Sequence, residues 1–403
     1  MPHLQLAILL GMTVALGPLA LDAYLPAFPD IAAALGVTQA DVGLSLSAYV
    51  STLGLAQLVG GPLSDRYGRR GVLMAGLTVF ALSALMVSQA GTLAELLGWR
   101  IVQGIGGAFC AVSVPAIVRD QSHGQDAARL FGLIGLVMFV APAVAPSLGT
   151  LLLTIGDWSL IFLFLTGYAV LLAITLNLLL FRRLPKHEPI RTPVATLVTN
   201  YWQVLRHPLT MRFIGIQALS FSVMMVFITH ASFIYQEWFG LTKTGFSALF
   251  ASNVAAMATL NLLNRALLKR FESVDILRTL VVIQCLAIFG VMIAASLGAP
   301  WYVFAGFVIA SVGCMGAIIP NNMANALEYF PHLGGTASAL LGGTQFTIAG
   351  AISAISASIG AHTLTPIVGM MMVGSVGATV LAVGAPRAVR RGREQPARTE
   401  GAI

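Results

Sequence analysis

Charged side chains are scarce in this 403-residue sequence: 9% of its residues are charged and 57% are hydrophobic. A soluble protein carries about 25% charged residues, and 15 acidic and 22 basic side chains cannot cover a globule of this length. The deficit excludes a soluble enzyme, a nucleic-acid-binding module and a disordered chain. Since one helix crosses a bilayer with about 20 apolar residues, twelve crossings would use about 240, which the hydrophobic content supplies.

Cysteine is rare, and the motifs of the common enzyme classes are missing. The three cysteines, Cys110, Cys285 and Cys314, fall in apolar segments, and an odd number there argues against a disulfide framework or a metal site. The sequence has no ATP-binding P-loop, paired zinc ligands, nucleophile elbow or dinucleotide fingerprint. We therefore expect a protein that is not an enzyme and that holds no metal or cofactor.

Long hydrophobic runs, by contrast, fill the chain. Twelve have spanning length, near residues 4–25, 42–62, 71–90, 94–118, 130–154, 158–181, 211–235, 245–264, 276–298, 301–320, 336–360 and 363–385. They are continuous, unlike the alternating segments of about ten residues in a closed barrel. The sequence predicts an all-α integral membrane protein with twelve transmembrane helices. The first run lacks a basic start, so we interpret it as a spanning helix and not as a signal peptide.

The basic residues mark one side of the membrane. Twenty of the 22 fall after runs 2, 4, 6 and 8 and in the tail beyond residue 386, without the interleaved aromatic residues of a nucleic-acid surface. By the positive-inside rule this side is cytoplasmic, so we expect both termini inside. The exceptions are Lys243, between runs 7 and 8, and Arg100, inside run 4.

One long hydrophilic connection divides the runs into six and six. We expect an N-terminal bundle (1–181), a cytoplasmic central loop (182–210), a C-terminal bundle (211–386) and a basic cytoplasmic tail (387–403). Such a split is typical of transporters built from repeats, which bind their substrate between the halves near the bilayer midplane.

The densest polar pattern lies between runs 2 and 3. The stretch GPLSDRYGRR places Gly61 and Gly68 on either side of Asp65, Arg66 and Arg69, with Arg70 last. Gly68 can supply the tight turn between two helices, and Asp65 can pair with a guanidinium or cap a helix. An ordinary positive-inside loop is the alternative.

This stretch resembles the loop 2–3 signature of the major facilitator superfamily, G-x-L-[SA]-D-R-x-G-R-[RK]. The resemblance implies two six-helix halves that alternate access, with the loop as a cytoplasmic latch. By resemblance Asp65 would anchor this latch, and Arg69 and Arg70 would reach neighbouring helix ends. Arg119 and Asp120, after run 4, would lie beside it.

Two charged residues inside or beside apolar runs need a functional reason. An arginine at the centre of a membrane helix costs at least about 2.5–3.5 kcal/mol and usually faces a partner or a cavity. The stretch Arg100–Gly104 (RIVQG) matches the family's helix 4 motif R-x-x-Q-G, which by resemblance serves proton coupling. Asp22 begins DAYLPAFP, which resembles a segment of Bcr/CflA-type drug-resistance transporters. We expect Asp22 to carry the proton and Arg100 to pair with it; snorkelling of Arg100 and a water-exposed Asp22 are the alternatives.

Run 5 carries a partial antiporter signature. Pro142, Pro146 and Gly149 match the family pattern G-P-x-x-G-P-x-x-G-G, while Ala141 and Ala145 replace two of its glycines. The resemblance favours export over uptake; generic kinked packing is the alternative.

Polar and adaptable side chains within the runs are candidates for a substrate cavity. They are Tyr24, Tyr49, Gln57, Met138, Gln217, Phe221, Met225, Asn253 and Gln345. Hydrogen bonding or packing between helices would also explain each one.

The sequence thus predicts a monomeric transporter that exports small amphipathic drugs or metabolites in exchange for protons. Its partners would be that substrate, protons and the lipid bilayer. The alternatives are an exporter of one dedicated metabolite, such as an amino acid or a siderophore-like compound, and a proton-coupled importer. A receptor or channel is disfavoured, because a passive pore needs no buried ion pair.

Overall fold

A computed structural model describes residues 3–122, 124–182, 194–330, 333–359 and 363–383. The helices in these ranges are α1 (His3–Asp22), α2 (Phe28–Leu35), α3 (Gln39–Tyr67), α4 (Arg69–Val87), α5 (Leu93–Gln121), α6 (Gly124–Leu152), α7 (Ser159–Thr175), α8 (Val194–Leu205), α9 (Pro208–Ser232), α10 (Lys243–Leu267), α11 (Ser273–Ser296), α12 (Trp301–Leu327), α13 (Gly334–Ser358) and α14 (Leu364–Val383). Twelve segments of this described part are long and apolar enough to cross a membrane, which confirms the predicted all-α fold with twelve crossings.

The first crossing is longer than the sequence predicted, and it is broken. It runs from Leu4 to Leu35, because α1 stops at Asp22, a 3₁₀ turn follows at Leu25–Ala27, and α2 continues beyond it. Proline has no backbone N–H and interrupts a helix but is well placed to begin one. Pro26 and Pro29 stand at the starts of the turn and of α2, so they explain the break.

The predicted central loop contains a helix. α8 lies within the connection that we expected to be a loop over 182–210, and its apolar residues recur at the three- to four-residue spacing of a helix. The Tyr201 hydroxyl donates to the backbone carbonyl of Leu58 on α3 at 2.9 Å. The rest of the expected loop, 183–193, and the expected tail, 387–403, lie outside the described residues.

Successive crossings alternate in direction, so their connections gather at two ends of the bundle. We call the end with the α3–α4 turn the basic end. We call the end with the α1–α3 connection the acidic end. In the described chain, the connections and helix starts of the acidic end hold one base, Lys243, and the acids Asp30, Asp41, Glu95, Asp157 and Glu237.

The two sets of six crossings meet along α3 and α13. We call α1–α7 the first half and α9–α14 the second half. A Cβ added at Gly54 on α3 would lie 2.6 Å from the carbonyl oxygen of Gly343 on α13. Small residues at such positions let helix backbones approach closely in a membrane, and here they bring the two halves together.

Candidate proton and substrate site

Arg100 is completely buried, and its guanidinium is hydrogen-bonded by three helices. Nη1 donates to Gln103 Oε1 at 2.7 Å and Nη2 to the Ala20 carbonyl at 3.1 Å. Longer bonds of 3.3 and 3.4 Å reach the Tyr24 hydroxyl and the Ser45 carbonyl. Acceptors on α1, α3 and α5 and in the turn after α1 therefore replace water around the charge, and snorkelling to the surface does not occur.

Aromatic rings complete the surroundings of Arg100. Its guanidinium carbon lies 4.4 Å from the ring centroid of Tyr49, 4.7 Å from that of Tyr24 and 5.9 Å from that of Phe162. A cation above an aromatic face gains about 2 kcal/mol or more when desolvated. We call Arg100, Tyr24, Tyr49, Gln103 and Phe162 the arginine cage.

The predicted pairing of Arg100 with Asp22 is wrong in this structure. Among the described residues, no hydrogen bond or ion pair joins the two, although Asp22 is only 6% exposed. The reason is the break in α1: a helix end leaves carbonyl groups without partners and carries partial negative charge. Arg100 binds the Ala20 carbonyl at that end, and the carboxyl group of Asp22 stays buried nearby without a cationic partner in the described chain.

Two polar atoms of the arginine cage remain available. The Tyr49 hydroxyl and Gln103 Nε2 are buried and have no hydrogen-bond partner among the described residues. An unsatisfied buried polar group costs about 1–3 kcal/mol. These atoms could therefore bind water or a polar group of a substrate.

The end of α6 closes one wall beside Asp22. A side chain at Gly149 would collide with the carbonyl oxygen of Ala23, so α6 touches the break in α1 only because residue 149 lacks a Cβ. Pro142 and Pro146 lie in the same helix. The partial signature in run 5 therefore lies against the segment that holds Asp22, and its role in export stays a prediction.

Part of the predicted cavity lies between α9 and α13 in the second half. Gln217 Nε2 donates to Gln345 Oε1 at 2.7 Å between α9 and α13, and the ring of Phe221 meets Phe346 edge-on at 5.2 Å. Met225 is buried on the same helix as Gln217. Gln217 Oε1 has no partner in the described chain, so it could accept a hydrogen bond from a substrate.

Among the described residues, no hydrogen bond joins the remaining cavity candidates to these two groups. Asn253 is buried on α10 and donates to the Leu249 carbonyl, while its Oδ1 has no described partner. Gln57 is half-buried on α3 beside Gly342. Met138 is 55% exposed on α6. For all of these residues a substrate contact stays a prediction.

The predicted latch residues converge at the basic end. Gly68 has φ +87°, a value that side chains rarely adopt, so the predicted turn is confirmed. Arg69 binds Asp65, donates from Nε to Asp120 Oδ2 at 2.8 Å and donates to Ser64. This network ties together the ends of α3, α4 and α5.

The other latch candidates lie outside this network. Arg70 Nη2 donates to Asn177 Oδ1 at 2.8 Å, which confirms the predicted reach to a neighbouring helix end. Arg119 lies beside Gly335 at the start of α13, in the other half. Arg66 is exposed, and nothing crowds Gly61. Gating by these residues stays a prediction.

Contacts across the acidic end were not predicted from the sequence. Lys243 Nζ lies 2.6 Å from Asp30 Oδ2, joining α10 to α2. Gln39 Nε2 donates to Glu237 Oε2 at 2.6 Å. The hydroxyl groups of Thr150 and Ser247 share a hydrogen bond of 3.0 Å. These three pairs each join the two halves, so the acidic end is closed.

A buried hydroxyl chain adds to this closure. Ser47 on α3 donates to Ser353 on α13 at 2.9 Å, and Ser353 shares a 2.6 Å bond with Thr229 on α9. Within the second half, His230 Nε2 on α9 shares a 3.0 Å bond with Ser356 on α13. The only signal in the sequence for these contacts is the presence of isolated polar residues in apolar runs.

No group of three or more His, Cys, Asp or Glu side chains in the described part of the chain could hold a metal ion.

Comparisons with known proteins agree on one family. The profile of the Major Facilitator Superfamily matches residues 10–354. An uncharacterized MFS-type transporter of Bacillus subtilis, YdgK, is 30% identical, and the match covers 93% of each chain. A bicyclomycin resistance protein homolog of Haemophilus influenzae is 27% identical over 89% of this chain and 90% of its own. A chloramphenicol resistance protein of Pseudomonas aeruginosa is 30% identical over 81% and 77%.

A solved structure shows the same fold. The crystal structure of a D-xylose–proton symporter covers 93% of this chain and 96% of its own at a TM-score of 0.72 and 16% identity. The predicted resemblance to drug-resistance transporters of the superfamily is confirmed by the relatives above. The chain therefore belongs to the Major Facilitator Superfamily, whose members are membrane transporters and not enzymes.

Proposed function

We propose that this transporter exports small amphipathic molecules, antibiotics among them, in exchange for protons. Members of its family bind small-molecule substrates, need no cofactor and usually act as monomers. Support for antibiotic export comes from relatives whose names record resistance to bicyclomycin and chloramphenicol. The basic end would face the cytoplasm of a bacterial inner membrane, with both termini inside.

The observation that carries the proposal is the buried carboxyl group of Asp22 beside the arginine cage. A buried acid without a cationic partner is expensive in a membrane when ionised, so it would hold a proton until a change in its surroundings lets the proton leave. Arg100 cannot release a proton itself. Its role would be to fix the end of α1 and so to place Asp22.

The substrate would bind between the halves. Gln217 Oε1 and Asn253 Oδ1 offer acceptors, Gln103 Nε2 offers a donor, and Phe221 with Phe346 offers an aromatic wall. Apart from Asp22, these groups are neutral, which suits neutral or monocationic amphipathic compounds. Access would alternate by rocking of residues 1–181 against residues 211–386, with the latch at the basic end and the closed contacts at the acidic end as gates.

The test is proton-driven drug movement in proteoliposomes. We expect chloramphenicol, or a fluorescent lipophilic cation, to move in the direction opposite to the protons that flow down an imposed pH gradient, and to stop moving when a protonophore is added. Asp22→Asn should abolish this transport. Asp126→Asn, a change of an exposed acid at the basic end, should leave it intact.

Transport that ignores the protonophore, or that survives Asp22→Asn, would refute proton exchange at Asp22. A panel of unrelated compounds distinguishes the remaining alternatives for the function. Response to one metabolite alone would indicate a dedicated exporter, and uptake in the direction of the proton gradient would indicate an importer.

A further inference from the structure

The helix in the central connection, α8, has one face against the bundle and two exposed faces. It packs against α9 and α13, and the buried and half-buried residues of its bundle face are Leu197, Asn200, Tyr201 and Val204. Because a helix has 3.6 residues per turn, these four positions share one side, and the remaining residues of α8 point away from the bundle.

The exposed residues of α8 separate by their chemistry. Val198, Trp202 and Leu205 recur at four- and three-residue spacing on one side of the helix, and they are 62%, 54% and 39% exposed. We call them the apolar face. The exposed residues of the next side, which we call the polar face, are Thr196, Thr199 and Gln203. A helix with water on both exposed sides has no reason to divide them in this way, so the apolar face has a partner of its own.

A hydrogen bond holds α8 at the level where the hydrocarbon of a membrane ends. Tyr201 donates to the Leu58 carbonyl of α3, and Leu58 lies about 14 Å before the end of α3 at 1.5 Å per residue. α3 has 29 residues and is therefore about 44 Å long, whereas the hydrocarbon of a bilayer is about 30 Å thick. One side-chain length from Leu58, α8 lies beside the boundary between acyl chains and headgroups.

Positive charge accompanies the apolar face. Arg206 follows α8, and its guanidinium carbon lies 4.8 Å from the ring centroid of Trp202. The whole connection, 182–210, contains five basic residues and one acidic residue. A tryptophan at the level of the headgroups with an arginine beside it is typical of a helix that lies in a membrane interface.

We propose that the apolar face of α8 lies in the headgroup region of the bilayer at the basic end and binds anionic phospholipid there. Val198, Trp202 and Leu205 contact the glycerol and the first acyl carbons, Arg206 binds the headgroup phosphate, and the polar face meets water. The excess of positive charge favours this occupant over a second copy of the chain, because two such connections repel each other and an anionic leaflet attracts both.

Quenching of Trp202 fluorescence in the full-length protein, reconstituted in lipid vesicles, tests the proposal. The contribution of Trp202 is the difference between the wild type and Trp202→Phe, since the other four tryptophans are present in both. We expect phospholipid brominated on the acyl carbons nearest the headgroup to quench it, and iodide on both sides of the vesicles to leave it unchanged.

A matched control moves the indole by one position. In Trp202→Phe/Gln203→Trp the ring lies on the polar face, so iodide should quench it and brominated lipid should not. Trp202→Phe/Thr199→Trp, on the same face, replaces this control if the first variant does not fold. Quenching of Trp202 by iodide alone would overturn the membrane contact, and protection from both quenchers would identify a protein as the partner.

Mixed vesicles test the choice of headgroup. Quenching by brominated phosphatidylglycerol in plain phosphatidylcholine, and by the reverse mixture, gives the relative association of the two lipids with Trp202. Arg206→Gln should lower the preference for phosphatidylglycerol up to about fivefold, and Arg265→Gln, an exposed change on α10 at the same end, should not alter it. Equal association of the two lipids with the wild type at low salt would refute the anionic partner.

Discussion

Replacing Arg100 by lysine keeps the positive charge and removes the planar fork of donors. Arg100 makes two short hydrogen bonds, to Gln103 and to the Ala20 carbonyl, on opposite sides of its guanidinium. A lysine has one nitrogen in place of three, so we expect Arg100→Lys to lose at least one of these bonds. A hydrogen bond from a charged donor contributes about 1.5–3 kcal/mol.

That loss should lower both stability and transport. One kcal/mol shifts the unfolding midpoint by about 2–4 °C in chains of 150–250 residues and by less in longer ones, so we expect a fall of about 2–6 °C. The arrangement that positions Asp22 should lose the same free energy. Proton-driven transport should then fall at least tenfold, because about 1.4 kcal/mol corresponds to a factor of ten.

The protein carries its own probe of unfolding. Cys110 and Cys314 are buried, so a thiol-reactive fluorescent dye labels them only as the helices separate. Arg265→Lys, at an exposed position, is the control for the chemical change. A wild-type midpoint and wild-type transport in Arg100→Lys would show that the fork geometry of Arg100 has no function.

Three further predictions follow from the geometry. Gly149→Ala should lower the unfolding midpoint and transport, because its methyl group collides with the end of α1, while Gly132→Ala, in open space, should do neither; equal effects would refute the close approach. Lys243→Ala should raise the labelling of a cysteine introduced by Ser247→Cys, a buried position at the acidic end, up to about fivefold, since an exposed ion pair contributes about 0.2–1 kcal/mol, and Asp30→Lys/Lys243→Asp should restore the closed state. Burial lowers the pKa of His207, so its stabilising contribution is present above its ordinary pKa of about 6.5 and is lost as the pH falls through the lower value. His207→Asn should keep the helix cap and weaken this loss of stability at acid pH. An unchanged pH dependence of the unfolding midpoint would contradict this role of His207.

The sequence predicted what depends on local patterns. The crossings followed from long apolar runs, and the Gly68 turn followed from a glycine between two helices. The approach of Arg69 to Asp120 followed from family resemblance. α8 was missed although its apolar spacing is visible in the sequence, because the prolines and charges before it dominate the composition of that connection.

Long-range contacts and backbone partners could not be predicted in this way. Asp30 and Lys243 are 213 positions apart, and nothing local indicates that α2 and α10 meet. We expected a carboxylate as the partner of Arg100, because the sequence reveals acidic side chains. It does not reveal which backbone carbonyl groups are left without a partner. The carbonyl of Ala20 becomes available only where α1 breaks, and the position of that break was not predicted.

The two basic residues that fall outside the basic end hold the same broken segment from different sides. Arg100, in the first half, binds the end of α1 through Ala20, and Lys243, in the second half, binds α2 through Asp30. Separation of the halves at the acidic end must break the Lys243 contact and can leave the Arg100 contact intact. Asp22 lies between these two attachments, so opening of the acidic end would release one side of the segment that buries its carboxyl group. Movement of the halves and exposure of the proton carrier would then be one event.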